Sequence, residues 1–262
     1  GSKDKLVPQI IKSLPANVDV FVDAMGGAFN VGANISAVEK VVYNEINPFV
    51  YGLVNWVINT PKDEIIRSVE KKIAEFNMQK SDAKAYKSLR DAYNANPNPL
   101  ELFVLHMYSF QNMIRFNSKH QFNTPIGVAG YSEDMKQRLK DFSAKAPVVE
   151  LTNMDYVKID WSSYPENTVF YFDPPYYITS AAYNDGRRGM KGWGLNEEVE
   201  LLNILKMIDN MGYKFILSNV IKHKDKEHTL LIDWIHENNF KIRDAGVSGW
   251  RYAKNEVLIT NY

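Results

Sequence analysis

The residues best suited to chemistry lie in the stretch TVFYFDPPYYIT, from Thr168 to Thr179. An apolar run rich in strand-forming residues ends there at Asp173, and two prolines and a tyrosine follow. Parallel sheets bind ligands at the carboxyl ends of their strands, which is where Asp173 is predicted to lie. Pro174 cannot donate a backbone hydrogen bond, but its carbonyl oxygen can accept one. The sequence therefore predicts two neighbouring acceptors and a flat ring, Tyr176, at a ligand-binding edge.

Such a corner suits the methylation of an aromatic amine. The lone pair of a nucleobase amine is delocalised into the ring, so the nitrogen is a poor nucleophile. Asp173 and the Pro174 carbonyl could accept its two N–H bonds and draw it towards tetrahedral geometry, while Tyr176 stacks on a base flipped out of a duplex. An in-line methyl group on a sulfonium then requires only positioning and charge stabilisation. The alternative is a structural turn after a buried strand, and a four-residue match alone does not decide between the two.

A glycine turn after an earlier predicted strand indicates where a methyl donor would bind. The stretch NVDVFVDAMGGAFNVG reads as a strand that breaks at Gly26-Gly27, where backbone can approach a ligand closely. Glu45 follows the next apolar run at about 20 residues, the separation expected of an acid that binds a ribose. The full GxGxxG pattern and a basic residue for a pyrophosphate are both missing from this turn. A nucleoside without phosphates, such as S-adenosylmethionine, is therefore favoured over a dinucleotide.

Composition narrows the class of protein. The chain has 262 residues, of which 45% are hydrophobic, so it can bury a sizeable core. Its 31 basic and 31 acidic residues argue mildly against a strongly electrostatic nucleic-acid binder without excluding one. The absence of cysteine suits a reducing compartment, and no apolar run has membrane-spanning length. The histidines lack ligand spacing, so we expect no metal. The missing cysteines and the lack of a long apolar run lead us to expect a cytoplasmic protein that does not enter a membrane.

The order of predicted elements describes an α/β domain split by a helical insertion. Two short strands near the start, joined by a connection of helix length, predict a βαβ unit. From Thr60, a predicted cap followed by Pro61 at the first helical position, the pattern is mostly helical to about Ala146. Alternation then resumes with strand TVFYFD, a helix from cap Asn196 to Gly212, strand YKFILSNV, a further helix and strand NEVLITNY. The predicted domains are residues 1–52 and 148–262, which form the catalytic domain, and residues 53–147, which form the insertion.

These motifs make the chain resemble the Dam-like DNA adenine methyltransferases, in particular the phage-type members, over nearly its whole length. FVDAMGGAFNV is similar to their cofactor loop, YNEIN to their ribose-binding segment, FYFDPPYYIT to their catalytic motif, and NMIRFNSKHQFNTPIG to their recognition signature. The order of the motifs matches as well. The resemblance implies a Rossmann-like S-adenosylmethionine-dependent methyltransferase sheet with an inserted, mostly helical recognition domain. It also implies adenine-N6 methylation of a flipped base in double-stranded DNA, at a GATC-type site, as in restriction-modification.

The resemblance extends the set of residues expected to bind the cofactor. The start GSK fits the end of the family's N-terminal pattern, whose leading aromatic residue is absent here, and Lys3 would reach the methionine carboxylate. Asp155, with Tyr156 beside it, would contact the cofactor adenine, although a capping aspartate before a turn is the alternative. The expected cofactor-binding residues are Lys3, Asp23, Gly26, Gly27, Glu45, Asp155, Tyr156 and Asp173.

Residues that could read DNA cluster in the signature stretch and in a second basic segment. Arginine can bind guanine through two hydrogen bonds, and lysine more often holds phosphates. By resemblance Arg115 is a base reader, while Phe110 and Phe116 are predicted to be core. Asn123 starts a sequence that also reads as a plain turn, and Gly127 lacks the basic residue that commonly follows it in the family. The expected DNA-binding residues are Arg115, Asn117, Lys119 and Asn123, with Arg187, Arg188 and Lys191 of the glycine-rich loop NDGRRGMKGWG.

Two other functions remain open from the sequence. One is an enzyme that methylates an RNA base or a protein glutamine, since acid-Pro-Pro-Tyr corners also occur there. The long insertion with the Arg115 signature argues against it. The other is a DNA-binding relative without activity, and the intact Asp173 corner argues against that.

Overall fold

The computed structural model describes residues 3–179, 183–184, 190–248 and 254–262. The chain divides into two compact units. The first, here called the sheet unit, comprises Gly1–Ile46, Ala144–Ala182 and Gly192–Tyr262. The second, the helical unit, comprises Asn47–Ser143 and Tyr183–Lys191. The domain boundaries predicted after residues 52 and 147 fall a few residues beyond these divisions.

Strands β1 to β11 and helices α1 to α8 follow one another along the described residues. The strands are Val20–Asp23, Lys40–Asn44, Val149–Thr152, Thr168–Phe172, Tyr183–Asn184, Met190–Lys191, Lys214–Asn219, Lys222–His223, Lys226–Glu227, Lys241–Ser248 and Lys254–Thr260. The α-helices are Val7–Ser13, Pro48–Asn59, Lys62–Glu75, Ala83–Ala95, Pro99–Tyr108, Glu133–Asp141, Leu195–Asn210 and Thr229–Asn238.

A seven-stranded sheet forms the centre of the sheet unit, in the order β10-β11-β7-β4-β1-β2-β3. Strands β7, β4, β1, β2 and β3 are parallel, and β11 is antiparallel to both of its neighbours. Every residue of β1 and β4 is buried, as expected of parallel strands whose two faces are both covered. The predicted α/β class and Rossmann-like sheet are thus confirmed.

The helical unit is held by capped helices around its own apolar core. Asn47, Asp82, Asn98 and Ser132 each accept backbone N–H bonds at the start of a helix, which satisfies donors that have no partner inside the helix. Prolines occupy the first positions of α2 and α5, where the missing N–H costs nothing. The fully buried core side chains include Ile65, Val69, Leu89, Val104 and Leu105.

Several local predictions were wrong. The connection between β1 and β2, described in full, holds a 3-10 turn at Gly32–Asn34 and no α-helix, because three glycines and a side-chain bond to Asp23 favour a folded loop. Thr60 ends α2, and Pro61 is the cap residue of α3. Helix α7 begins after Gly194, whose N–H donates to Glu197 Oε2 at 2.9 Å, so the cap is not Asn196.

Candidate active site

The carboxyl ends of the parallel strands bring the predicted acids to one edge of the sheet. Asp23 is the last residue of β1, Glu45 follows β2 and Asp173 follows β4. The register pairs Asp23 with Tyr171, so β1 and β4 end side by side. Strand β11 runs the other way and pairs Val257 with Asn219 at the end of β7, so its first residues reach the same edge.

A lysine bridges two carboxylates at this edge. Lys3 Nζ lies 3.0 Å from Asp173 Oδ1 and 2.5 Å from Glu256 Oε2, and it also donates to the Tyr176 hydroxyl. Lys3 and Glu256 are only 8% and 3% exposed, so each charge needs the other. Burial lowers the pKa of Lys3, but the carboxylates of Asp173 and Glu256 outweigh it and hold the pKa above its usual value. Its three N–H bonds thus have three acceptors, and the predicted contact with a methionine carboxylate would have to replace one of them.

Tyr176 is held in the same network. Its hydroxyl donates to Glu256 Oε2 at 2.5 Å, and it lies 3.3 Å from Asp173 Oδ1 and 3.5 Å from Ser218 Oγ. Burial, together with the charges of Asp173 and Glu256, raises the pKa of this phenol far above its usual range, so it stays protonated. The Lys3 ammonium lies 4.7 Å from the ring centroid and covers part of the ring. Tyr176 is 8% exposed, so a base would stack only on the part left open.

Asp173 keeps one oxygen available. Lys3 and Tyr176 approach Oδ1, whereas Oδ2 takes no hydrogen bond from the residues that the structure describes. The side chain is 21% exposed, so the carboxylate is neither directed into solvent nor sealed off. Burial raises the pKa of Asp173, Lys3 opposes this and Glu256 adds to it, with a net shift upward. The result is a carboxylate fixed by one oxygen and open at the other.

The glycine turn is shaped by close packing after β1. The Asp23 Oδ2 atom accepts from Gly32 N at 3.0 Å, and burial raises the pKa of Asp23 to about 7 despite that bond. A Cβ atom added to Gly26 would lie 2.4 Å from the ring of Tyr43, which is fully buried. Gly26 N also donates to Asn44 O at 2.8 Å. Position 26 therefore requires glycine because the backbone passes directly over a fully buried ring.

Gly27 and Glu45 face each other across this turn. Gly27 has a φ of +50°, and a Cβ added to it would meet no described atom within 4 Å. Its N–H donates to Glu45 Oε2 at 3.0 Å, and its carbonyl accepts from Tyr43 Oη at 2.7 Å. Open space beside half-buried backbone, next to a carboxylate at a strand end, fits a nucleoside whose ribose hydroxyls need an acceptor.

Asp155 and Tyr156 lie after β3 and differ in setting. Asp155 is half-buried and caps a 3-10 turn at Tyr156–Lys158, with Oδ1 3.5 Å from Val157 N. Tyr156 is 4% exposed, its ring is 5.9 Å from that of Trp193, and its hydroxyl lies 3.4 Å from Glu197 O. The structure thus places Tyr156 in the core beside α7, and the proposed contact with a cofactor adenine rests mainly on Asp155.

In the helical unit, the signature stretch forms a short exposed loop. Arg115 is exposed, and two hydrogen bonds to Asn123 fix its orientation. Arg115 Nε donates to Asn123 Oδ1 at 2.9 Å, and Arg115 Nη2 donates to the backbone oxygen of Asn123 at 3.1 Å. Asn117 Oδ1 accepts from Lys119 N and Gln121 N, at 2.9 and 3.1 Å, and closes the turn. The loop therefore presents an oriented guanidinium, while both asparagines shape the backbone.

The aromatic residues of this stretch only partly follow prediction. Phe116 and Phe122 form a bridge across the base of the loop and are 2% and 1% exposed. Phe110, predicted to be core, is 46% exposed. It begins a 3-10 turn, and Gln111 beside it has a φ of +54°, a backbone course that carries the ring outward.

The remaining predictions concern the basic segment, metal binding and membrane spans. Arg187 and Arg188 lie outside the described residues; Lys191 lies in β6, and its side chain is not described. Among the described residues there is no group of three or more side chains able to hold a metal ion. Nor does any described helix have the length and apolar character needed to cross a membrane.

A buried acid that the sequence reasoning missed completes the site. Glu256 contacts both Lys3 and Tyr176, yet it lies in the stretch that was read simply as the final strand. A charged residue next to the apolar run VLIT is a signal that could have marked it, because an acid entering a buried strand needs a partner.

The sheet, the glycine turn and the Asp-Pro-Pro-Tyr corner together have the features expected of an amino-methyltransferase. A family model described as D12 class N6 adenine-specific DNA methyltransferase matches residues 1–246, and the chain belongs to this family. This confirms the resemblance seen in the motifs.

Named relatives are similar to the chain over all or most of its length. It is 47% identical over 263 residues to the modification methylase LlaI of Lactococcus lactis subsp. lactis, and 35% identical over 271 residues to the type II methyltransferase M.FokI of Planomicrobium okeanokoites. Both alignments cover 100% of this chain but 42% of the relative, so the chain spans less than half the length of these proteins. The DNA adenine methylase of Haemophilus influenzae is 26% identical over 212 residues, which cover 79% of the chain and 72% of that relative.

Proposed function

We propose that the chain transfers a methyl group from S-adenosylmethionine to the N6 amine of an adenine flipped out of double-stranded DNA. The observation that carries the proposal is the Asp173 carboxylate, held through Oδ1 by Lys3 and Tyr176 with Oδ2 left open at the ligand-binding edge of the sheet. Membership in the D12 class supports the adenine-specific DNA substrate.

The chain's own residues prepare the amine. Asp173 Oδ2 accepts one N–H of the adenine amine and the Pro174 carbonyl accepts the other, so the nitrogen lone pair turns away from the ring system. Tyr176 contacts the base with the open part of its ring. When bound, S-adenosylmethionine supplies an electrophilic methyl group on a positively charged sulfur. Positive charge then develops on the amine next to Asp173, which stabilises it, and the raised pKa makes this carboxylate a better acceptor for the proton that the amine loses.

The cofactor pocket is proposed along β1, β2 and β3. The space beside Gly27 is open, and Gly26 packs directly on the Tyr43 ring, so the backbone of this turn can approach the nucleoside closely. Glu45 binds the ribose hydroxyls, Asp155 contacts the adenine, and Asp23 fixes the loop through Gly32. Lys3 and Tyr156 remain proposed contacts of the methionine and adenine ends.

DNA recognition is proposed for the signature loop and the basic segment. Arg115 binds a base edge in the orientation that Asn123 gives it, and Lys119 holds a phosphate. Asn117 keeps the loop in shape. Arg187, Arg188 and Lys191 are proposed to clamp phosphates. The proposed target is a GATC-type site, as in Dam-like enzymes.

Two experiments test the proposal. Transfer of a radiolabelled methyl group to duplex DNA, RNA and protein is measured side by side, with Asp173→Ala as the inactive control. The proposal expects label in DNA alone; label in RNA or protein, or no label despite cofactor binding, would reject it. Methylation-sensitive sequencing of the treated DNA then identifies the modified base, and modified adenines outside GATC would correct the target while leaving the reaction intact.

A further inference from the structure

Glu256 has no part in the reaction as described so far, yet it contacts the catalytic corner directly. Its Oε2 atom lies 2.5 Å from Lys3 Nζ and 2.5 Å from Tyr176 Oη. The side chain is 3% exposed at the start of β11. A fully buried carboxylate that binds two residues of a site is unusual as a purely structural feature, because an apolar side chain would stabilise the same position without a desolvation cost.

The charges explain what this carboxylate can do. Lys3 lies beside Asp173, and an uncompensated ammonium there would oppose the positive charge that develops on the substrate amine. Glu256 places a second negative charge on Lys3, at 2.5 Å against 3.0 Å for Asp173. The field of the ammonium is then largely cancelled, and the net charge of the three groups is that of one carboxylate.

Geometry adds a second effect. The Tyr176 hydroxyl donates to Glu256 at 2.5 Å and is more distant from Asp173, at 3.3 Å. Without Glu256, both the hydroxyl and the ammonium would turn to Asp173 as their remaining carboxylate partner within the described residues. Asp173 would then be bound more tightly by protein donors and would accept less readily from a ligand.

We propose that Glu256 is a positioning residue of the catalytic corner, which draws Lys3 and Tyr176 to itself so that Asp173 keeps one oxygen and its negative charge for the substrate amine. The inference rests on the proposed methyl transfer. Strand β11 thereby contributes a negative charge to the catalytic corner, which its sequence pattern does not indicate.

The test compares Glu256→Gln with Glu256→Asp and with Glu150→Gln. Gln keeps the shape of Glu256 without its charge, whereas Asp keeps the charge on a shorter side chain. Glu150→Gln is the matched control, since it also removes one Lys–Glu ion pair, with Lys40 at 2.6 Å, but at an exposed side chain of β3. Circular dichroism and thermal unfolding show which variants are folded.

Glu256→Gln should lower kcat about 10- to 100-fold, the order seen when the partner that orients a reactive group is removed, with KM for S-adenosylmethionine changed far less. Glu256→Asp should recover most of the loss, and Glu150→Gln should behave like the parent. Equal losses for Gln and Asp, or a Gln variant with parental kcat, would overturn the proposal.

A pH readout separates positioning from general loss of structure. Among the described residues, the charged and titratable groups that face Asp173 are Lys3, Glu256, Tyr176, Tyr171 from β4 and Asp23 from β1. Removing the negative charge of Glu256 leaves Lys3 to act on Asp173 alone, so the pKa of Asp173 should fall and the acidic limb of kcat should move to lower pH. A merely destabilised protein would keep the limb where it is.

A measurement without turnover tests the effect of Glu256 on Asp173 separately from the proposed function. NMR titration of 13C-labelled aspartate carboxyls, with the Asp173 signal assigned by its loss in Asp173→Asn, should show a lower pKa in Glu256→Gln than in the parent. An unchanged or higher value would reject the role of Glu256 whether or not methyl transfer occurs. Failure of the parent chain to methylate DNA would instead reject the proposed function.

Discussion

Replacing Asp173 with asparagine tests the catalytic corner with a nearly isosteric change. Lys3 donates to Oδ1 and the Tyr176 hydroxyl lies 3.3 Å from it, so an asparagine would turn its carbonyl oxygen towards them. Its NH2 group would then take the position of Oδ2, where a donor would meet the N–H of the substrate amine. We therefore expect Asp173→Asn to lose at least as much methyl transfer as Asp173→Ala, although asparagine itself carries an acceptor.

The expected size follows from the lost charge. A carboxylate about 4 Å from a unit positive charge contributes about 4 kcal/mol at an effective dielectric constant of about 20. That energy corresponds to a factor of about 10³ in rate. Because the Asp173 side chain is 21% exposed, solvent screening reduces the effect, and we expect kcat to fall by about 10²- to 10³-fold.

The assay is single-turnover transfer of labelled methyl to duplex DNA, with cofactor affinity measured by calorimetry. Cofactor binding should weaken by less than about tenfold, since the pocket along β1 and β2 is unchanged. The fold should persist, because Glu256 still pairs with Lys3 at 2.5 Å. Asp160→Asn, an exposed capping aspartate of the same unit, is the control. A rate for Asp173→Asn within about tenfold of the parent would refute the assignment of Oδ2 to the substrate amine.

Three further predictions concern stability, the cofactor loop and DNA. Burial raises the pKa of Asp23 from 3.8 to about 7, so between these pH values the folded protein binds a proton that the unfolded chain does not, and the stability of the fold falls as pH rises through this range. Asp23→Asn should remove up to about 4 kcal/mol of that decline, measured as the difference in unfolding free energy between denaturant titrations at pH 4 and pH 7.5. Gly26→Ala should lower the unfolding free energy by about 1–3 kcal/mol and weaken cofactor binding, because the new Cβ meets a fully buried ring. Gly27→Ala should lower the unfolding free energy by only about 1 kcal/mol, because its left-handed backbone is the single source of strain. Equal effects of the two variants in calorimetry would contradict this. Replacing Arg187 and Arg188 with alanine should weaken DNA binding and reduce the salt slope of log K by up to about 2, and an unchanged slope would remove both from the phosphate contacts.

Much of the sheet was predictable because its strands carry their own signals. The runs VFVD, KVVYN and TVFYF are apolar and rich in β-branched and aromatic residues, and each forms a buried parallel strand. Strand β10 was missed because the apolar and polar residues of KIRDAGVS alternate weakly and the segment contains glycine. It forms a strand because it pairs with β11, and its composition alone does not indicate one. The loop after β1 was read as a helix because its length fits one, while its folding depends on the distant contacts of Asp23 and Tyr43.

The site was predictable where it is local in sequence. Asp173 and Pro174 follow one strand, and Glu45 follows another at a familiar separation, so strand ends alone bring them to one edge. The ion pairs of Lys3 with Asp173 and Glu256 could not be found in that way. Lys3 and Glu256 stand near opposite ends of the chain, and no spacing rule connects them.

The antiparallel strand is what makes the corner possible. In a purely parallel sheet the last strand would begin at the edge opposite the ligand, and an acid at its start would lie far from Asp173. Because β11 runs against β7, with Val257 opposite Asn219, Glu256 enters the sheet at the edge where β4 ends. The antiparallel direction of β11 therefore places the buried carboxylate of Glu256 next to Lys3. It follows that moving Glu256 one residue along β11 would turn its side chain to the other face of the sheet and separate it from Lys3, even though composition and net charge stayed the same.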